Sequence, residues 1–325
     1  MSATYRILTT AAEDTAMFAR VLDARQRASS TTLDAAAFLK WQRAQGRTPW
    51  GQAHLTHLAL TDGLALLASA ARFELSGWLD GRPVPVWGLG SLLRHTSDTG
   101  DAGVRRLLEQ TLASAEAAGV GVVLLFSTRG TVWPHELGFT DMTPPEVDLT
   151  FPPTRRPGAP MLSIRAGEDL DLPQLAGMTA GPYTARFRLE RDMPFIRHTM
   201  TVRRLLAGLQ TDGRERLEFF VTEEGMRAAA FVVLSVSDDG WRIEQCGDRD
   251  PTGARVGAIL QALIARDPTV TAPRVHGWLP PGFVPPQAVA TPGANSDHLV
   301  LARVLDSAAA PLGLGEAVFW IADWF

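Results

Sequence analysis

Between Thr150 and Pro160 the chain reads Thr-Phe-Pro-Pro-Thr-Arg-Arg-Pro-Gly-Ala-Pro, four prolines in eleven residues. Proline fixes its own backbone torsion, removes an N–H donor and pushes its predecessor into extended conformations, so neither a helix nor a central strand runs through this stretch. It divides a chain of 325 residues, a length that suits two domains. We read residues 1–150 as one domain, 161–325 as a second and 151–160 as the linker.

The halves share a plan. In the first, residues 5–10 read as a strand, 16–22 carry apolar residues at helical spacing, and 33–45 read as a helix capped by Thr31 or Thr32. Three extended segments follow, 54–60, 64–79 and 84–93, joined by Thr61-Asp62-Gly63 and Asp80-Gly81-Arg82-Pro83, which is turn chemistry for an antiparallel meander. Residues 101–118 set Val104, Leu107, Leu108, Leu112 and Ala115 on one helical face and stop at Gly119. A buried strand at 120–126, a short helical segment at 132–137 and a strand pair around 139–151 complete the half. The second half repeats the order with a strand at 161–165, a helix at 195–209, a meander over 217–246, a helix at 253–265 and strands at 274–279 and 299–305. Without a short-period repeat, a tandem duplication of an α+β unit is the expected architecture, each copy a mixed, mostly antiparallel sheet flanked by helices.

Charge and cysteine content exclude several functions. Thirty-one basic against thirty-five acidic residues are too balanced for a protein that grips a phosphate backbone. Lys40 is the one lysine, so no polylysine segment holds an anionic membrane. Cys246 is the one cysteine, which excludes an internal disulfide and a cysteine-based zinc site and reads as a small, partly buried residue. The first fifteen residues lack a basic region followed by an apolar one, and the longest apolar run, 120–126, is far below the ~20 residues of a membrane span. The expectation is a cytoplasmic protein with no nucleic-acid or membrane partner; a homo-oligomer is left open.

The segment most informative about chemistry runs from Gly88 through Gly90, Ser91, Leu92, Leu93 and Arg94 to Gly100-Asp101-Ala102-Gly103-Val104, a strand entering a helix through a glycine-containing loop. Small residues there let backbone N–H groups face a pyrophosphate, and the helix start adds unpaired donors and the positive end of its dipole. A Walker loop is excluded because no lysine follows the glycines, and the preceding meander argues against a dinucleotide-binding unit.

This order of elements resembles the GNAT superfamily of acyl-CoA N-acyltransferases, in which a loop of the form Arg/Gln-x-x-Gly-x-Gly/Ala opens the helix beneath the cofactor pyrophosphate. Gly100 and Ala102 match its last two positions, while Ser97 stands in the Arg/Gln position. The resemblance implies that Leu92, Leu93 and Arg94 supply strand-end amides and that Gly100, Asp101, Ala102, Gly103 and Val104 bind the cosubstrate. His95 falls where many members have a histidine before proline, here Thr96. Leu137-Gly138-Phe139 matches the family's distal segment, with Pro134 replacing the tyrosine that commonly protonates the leaving thiolate. His135, beside it, is the substitute acid, since an imidazole donates protons near neutral pH.

The resemblance extends over nearly the whole chain as two GNAT-like domains, like the Eis-type and fungal lysine acetyltransferase-like groups but without the third domain of the former. The second copy, with Gly253 and Ala254 alignable only by a one-residue shift, is degenerate and a structural partner. The Eis type uses its C-terminal carboxylate as a base, which makes Phe325 the corresponding candidate here; the apolar segment 317–325 reads as docked against a sheet. What the resemblance implies is transfer of an acyl group, most simply acetyl, from acetyl-CoA or another acyl-CoA to a primary amine of a small molecule or peptide, with no metal. The alternative is a noncatalytic acyl-CoA-binding or regulatory protein. Glu74 and Glu244 are weaker base candidates, Trp87 and Trp133 candidates for lining a cleft, and His54 and His57, on opposite faces of one strand, an improbable metal pair.

Overall fold

The structure is a computed structural model and describes residues 5–10, 15–28, 33–63, 65–95, 101–128, 133–152, 163–179, 185–210, 215–266, 272–294 and 298–323. The linker beyond Pro152, Gly100 and Phe325 lie outside them.

In the first half the elements are β1 (Tyr5–Thr10), α1 (Thr15–Ala28), α2 (Ala35–Arg47), α3 (Pro49–His54), β2 (Leu55–Asp62), β3 (Ala65–Leu79), β4 (Arg82–Arg94), α4 (Ala102–Ala117), β5 (Val122–Thr128), β6 (Thr140–Asp141) and β7 (Glu146–Thr150). The second half runs β8 (Ile164–Ala166), α5 (Leu172–Thr179), β9 (Phe187–Leu189), α6 (Met193–Leu209), β10 (Arg216–Glu224), β11 (Arg227–Ser237), β12 (Gly240–Asp248), α7 (Ala254–Ile264), β13 (Val275–Trp278), β14 (Val289–Pro292), β15 (His298–Val304) and β16 (Ala317–Val318). The fold is α+β: two mixed sheets, each flanked by helices and each containing the expected antiparallel meander.

The sheets do not follow the linker. In the first, the order is β1-β2-β3-β4-β5-β15-β6, with β9 on the far end of β3 and β16 beside β9. The second has the order β14-β7-β13-β12-β11-β10-β8. The strand pair expected around 139–151 is therefore not a pair: β6 joins β15, and β7 sits between β13 and β14. In exchange β15, from the far end of the chain, lies antiparallel to β5 from His298↔Thr128 to Val304↔Val122. Alternating apolar residues mark a segment as a strand but carry no label for its sheet.

Local chemistry explains the remaining differences. The cap of α2 is Asp34, whose carboxylate accepts from the Ala37 N–H at 2.7 Å, rather than Thr31 or Thr32. Thr48 caps α3 in the same way, accepting from Gly51 N, with Pro49 in the first turn where its missing N–H costs nothing. His54 ends this helix, so only His57 of the two lies in β2.

One face of the first sheet packs on α4, where Leu58, Leu60, Ala70, Leu89, Val123 and Leu125 meet Leu107, Leu108 and Leu112. On its other face Val86, Leu124, Phe126 and Val300 form a core with Trp278 of the second sheet and with Phe319 and Ile321 of the C-terminal segment. Trp320 turns the other way, into the core between the second sheet and α7. The segment 317–323 is thus docked between the halves. Among the described residues, no helix is long and apolar enough to cross a membrane.

Candidate active site

Strand β4 departs from regularity where the sequence pointed. Ala71 lies opposite Gly90 and Ser69 opposite Leu93, which leaves Ser91 and Leu92 facing Ala70 alone. Ser91 takes φ 50°, a left-handed torsion that a residue with a Cβ adopts only under constraint. Such a bulge kinks and twists its strand. Its consequence appears on the other edge: β4 and β5 pair in parallel only from Val86↔Val122 to Leu89↔Leu125. Beyond that row β4 continues with β3 to Arg94 and β5 continues with β15 to Thr128, so the two parallel strands part.

Helix α4 starts beside this gap. A helix leaves its first N–H groups without acceptors of its own, and Asp101 makes no side-chain cap to them. Ala102 is exposed, while Gly103 and Val104 are buried. Gly103 packs against Leu67, where an added Cβ would sit in van der Waals contact at 3.4 Å, so the helix start rests on β3. Arg94, at the strand end, and Asp101 form an ion pair at 3.6 Å that balances the one loop carboxylate described here. Leu92 and Leu93 are half-buried and Arg94 is exposed. The structure thus brings Leu92, Leu93, Arg94, Asp101, Ala102, Gly103 and Val104 to one edge, a place suited by its backbone donors to a diphosphate.

His135 is exposed on the short 3-10 helix Trp133–Leu137, with Nδ1 3.0 Å from the Phe139 carbonyl oxygen. Its neighbour Glu136 accepts from Arg105 in the first turn of α4 at 2.6 Å, which places this helix at the same end of the molecule. Glu74 is exposed and paired to Arg72 at 2.7 Å, and that guanidinium also lies 4.3 Å from the centre of the Trp87 ring. Of Trp133 only the backbone is described. Cys246 is fully buried, and burial raises its thiol far out of the reactive range.

On the face of the sheet away from α4, behind Ser91, is a cavity of about 110 Å³ roofed by α1, α2 and α6. Sequence reading missed its polar lining. Arg25 is 3% exposed and still cationic, burial lowering it only to about 10. Its Nη1 lies 3.1 Å from Nδ1 of His57, which must accept because arginine only donates. Burial first, and the Arg25 charge second, lower His57 to about 3, so the imidazole is neutral. His198, against Thr48 at 2.7 Å and tilted on Trp50, is lowered to about 4, chiefly by burial. Ala322, three residues from the end of the chain, also lines this cavity.

The second sheet has the same bulge and a different filling. Val233 lies opposite Gln245 and Leu234 opposite Ile243, so Glu244 is the extra residue. Burial alone would raise its carboxyl, but Arg203 and Arg242, with hydrogen bonds from Ser235 and Arg242, hold it at about 2. It is a locked ion-pair partner. At the start of α7, the Asp248 carboxylate accepts from the backbone N–H of Arg255 at 2.8 Å and of Val256 at 3.3 Å. An internal anion thus occupies the donors that α4 leaves open.

No family model matches the sequence, and no curated protein matches it. Solved structures do. A GCN5-related N-acetyltransferase from Kribbella flavida is 17% identical, with a TM-score of 0.64 over 94% of this chain and 72% of that one. A probable N-acyltransferase from Enterococcus faecalis V583 is 12% identical, with a TM-score of 0.65 over 93% and 73%. Eis1 from Mycobacterium abscessus is also 12% identical, with a TM-score of 0.60 over 93% and 74%. The chain thus shares its fold, two mixed sheets flanked by helices, with these solved structures.

Proposed function

We propose that the protein is an acyl-CoA-dependent N-acyltransferase, that only its first sheet carries the cosubstrate site, and that the acyl group is acetyl and the acceptor a primary amine of a small molecule or peptide. One observation carries this reading: the Ser91 bulge, the parted strands β4 and β5 and the uncapped start of α4 adjoin a cavity on the other side of the strand. In the proposed reaction the amine nitrogen bonds the acyl carbon, the C–S bond breaks with its electron pair on sulfur, and the proton lost by nitrogen ends on sulfur. Backbone N–H groups at Leu92 to Arg94 hold the acyl oxygen as it gains charge. His135 is the proposed acid. The Phe325 carboxylate is the proposed base, supported by the position of Ala322 on the cavity wall.

Calorimetric titration with acetyl-CoA, followed by thiol release across a panel of amines, tests the reading. Micromolar binding with amine-dependent release is expected, and absence of binding overturns it. The second reading, acyl-CoA binding without turnover, is favoured by Pro134 in the acid position and by the lack of a carboxylate among the described lining residues of the cavity. Binding without release for any amine selects it.

A further inference from the structure

Buried arginines are ordinarily paired with carboxylates, because an uncompensated cation in a dry interior is costly. Arg25 is not. Its Nε and Nη2 are buried without a hydrogen-bond partner among the described residues, and its third nitrogen reaches a neutral histidine. Another buried donor on the same wall, Nε1 of Trp41, is also unpartnered. Arg203, the other cation of the lining, is bound to the Ile321 carbonyl at 2.9 Å and lies 3.7 Å from Glu244. The cavity thus offers spare donors and one spare positive charge, and no described lining residue is acidic. The rest of the wall combines the neutral polar side chains of Gln42, Gln45, Ser91, His198 and Thr199 with an apolar part formed by Leu55, Phe73, Val202 and Leu206.

We propose that this cavity binds a carboxylate through Arg25, with Trp41 as a second donor and an aliphatic chain against Phe73, Val202 and Leu206. A planar carboxylate fits the guanidinium Nε and Nη2 pair, the two atoms that are free. The inference rests on the acyltransferase reading for its consequence: the reaction joins an amine and an acyl group of which one carries a carboxylate. In the first case the acceptor is an aliphatic amino acid and the product an N-acyl amino acid. In the second the acyl group is that of a dicarboxylic acid. Ser91 lines the same cavity, which sets the carboxylate site behind the strand end proposed to hold the thioester.

The test uses the full chain and 4-methylpentanoate, the desamino analogue of leucine, titrated alongside its neutral amide and 4-methylpentylamine. The acid alone is expected to bind, and Arg25→Met to weaken it at least tenfold while near-ultraviolet circular dichroism stays native. Should Arg25→Met not fold, Trp41→Phe, which removes one donor and keeps the ring, is expected to weaken the acid severalfold. Equal binding of acid and amide, equal binding to wild type and both variants, or no binding of the acid overturns the proposal. Leucine with acetyl-CoA and a simple amine with succinyl-CoA then distinguish the two sources, the true one showing the larger loss of turnover in the Arg25 variant. If the acid binds but acetyl-CoA does not, the carboxylate site stands and the acyltransferase reading falls. If acetyl-CoA is turned over with amines but no carboxylate binds, the reverse holds.

Discussion

Arg25 occupies a position that helical spacing assigns to the core. Phe18, Val21 and Leu22 lie on the buried stripe of α1, and Arg25 follows at the next turn. A charge on such a stripe is a signal legible in the sequence, once the stripe is written out to its end. It is also a cost to stability. Removing an unpaired buried cation in favour of an unbranched apolar side chain of similar length is expected to stabilise the fold, by about 1 kcal/mol after the lost hydrogen bond to His57 is counted. Scanning calorimetry of Arg25→Met therefore shows a higher Tm, where a structural role for the guanidinium would lower it. The neighbouring histidines contribute to the pH response together with His95, which burial first and nearby arginines second also lower to about 4. His57 and His198 are held at about 3 and about 4 in the folded protein, below the 6.5 of an exposed imidazole. Between these values the unfolded chain binds more protons, so stability is complete above pH 6.5 and declines as the pH falls towards 4. Each histidine contributes a slope of about 1.4 kcal/mol per pH unit in that window, measurable as urea midpoints at pH 7, 6 and 5.

At the level of elements, the two helices that follow the bulged strands differ in what fills their first turn. The start of α7 is closed by Asp248, whose side chain is fully buried and also meets Nη1 of Arg255 at 3.1 Å. Asp248→Ala strips the backbone N–H groups of Asp250, Arg255 and Val256, and Nη1 of Arg255, of their acceptor and is expected to cost about 2–3 kcal/mol, read as a lower urea midpoint. For α4 the opposite substitution is informative. A carboxylate at the exposed Ala102 position suits the helix dipole, so Ala102→Asp leaves stability unchanged or slightly raised, yet it sets a negative charge beside the proposed diphosphate. Its acetyl-CoA affinity is expected to fall at least tenfold in calorimetry, and an unaltered affinity would count against the site. The meander and the helix after it were legible in the sequence because turn chemistry and period are local properties. Asp34 as the cap of α2 and Thr48 before Pro49 are also local cap signatures, competing in the sequence with Thr31 or Thr32 and with a strand that starts at residue 54. What no local pattern carries is the exchange of β7 and β15, or the meeting of Arg25, Trp41 and Ser91 around one cavity, since these depend on pairings between segments far apart in the chain.

The exchanged strands govern how the molecule holds together. Every residue of β5 from Val122 to Thr128 is matched by one of β15, and β7 is an interior strand of the second sheet. Between them the C-terminal segment is fastened by a buried pair of Arg191 and Asp323, the latter also accepting from the Trp320 N–H at 2.8 Å. Both side chains are nearly inaccessible, so Asp323→Ala leaves a buried guanidinium uncompensated and is expected to cost about 3–5 kcal/mol. Because Phe319 and Ile321 sit on the first sheet and Trp320 on the second, that loss is felt by both halves together. The same geometry bears on autonomy. A chain ended after Thr150 would expose the full length of β5 as an open, apolar edge and would leave β3 without β9. Residues 1–150 alone are thus expected to be insoluble or unfolded, although the linker looks in the sequence like a domain boundary. Co-expression of 1–152 with 153–325 is expected to restore a soluble complex, by supplying β15 and β9 from the second piece. In the intact chain, unfolding followed by tryptophan fluorescence and by far-ultraviolet circular dichroism should give one coincident transition. Two separated transitions, or a soluble folded first half, would show that the strand exchange does not couple the sheets.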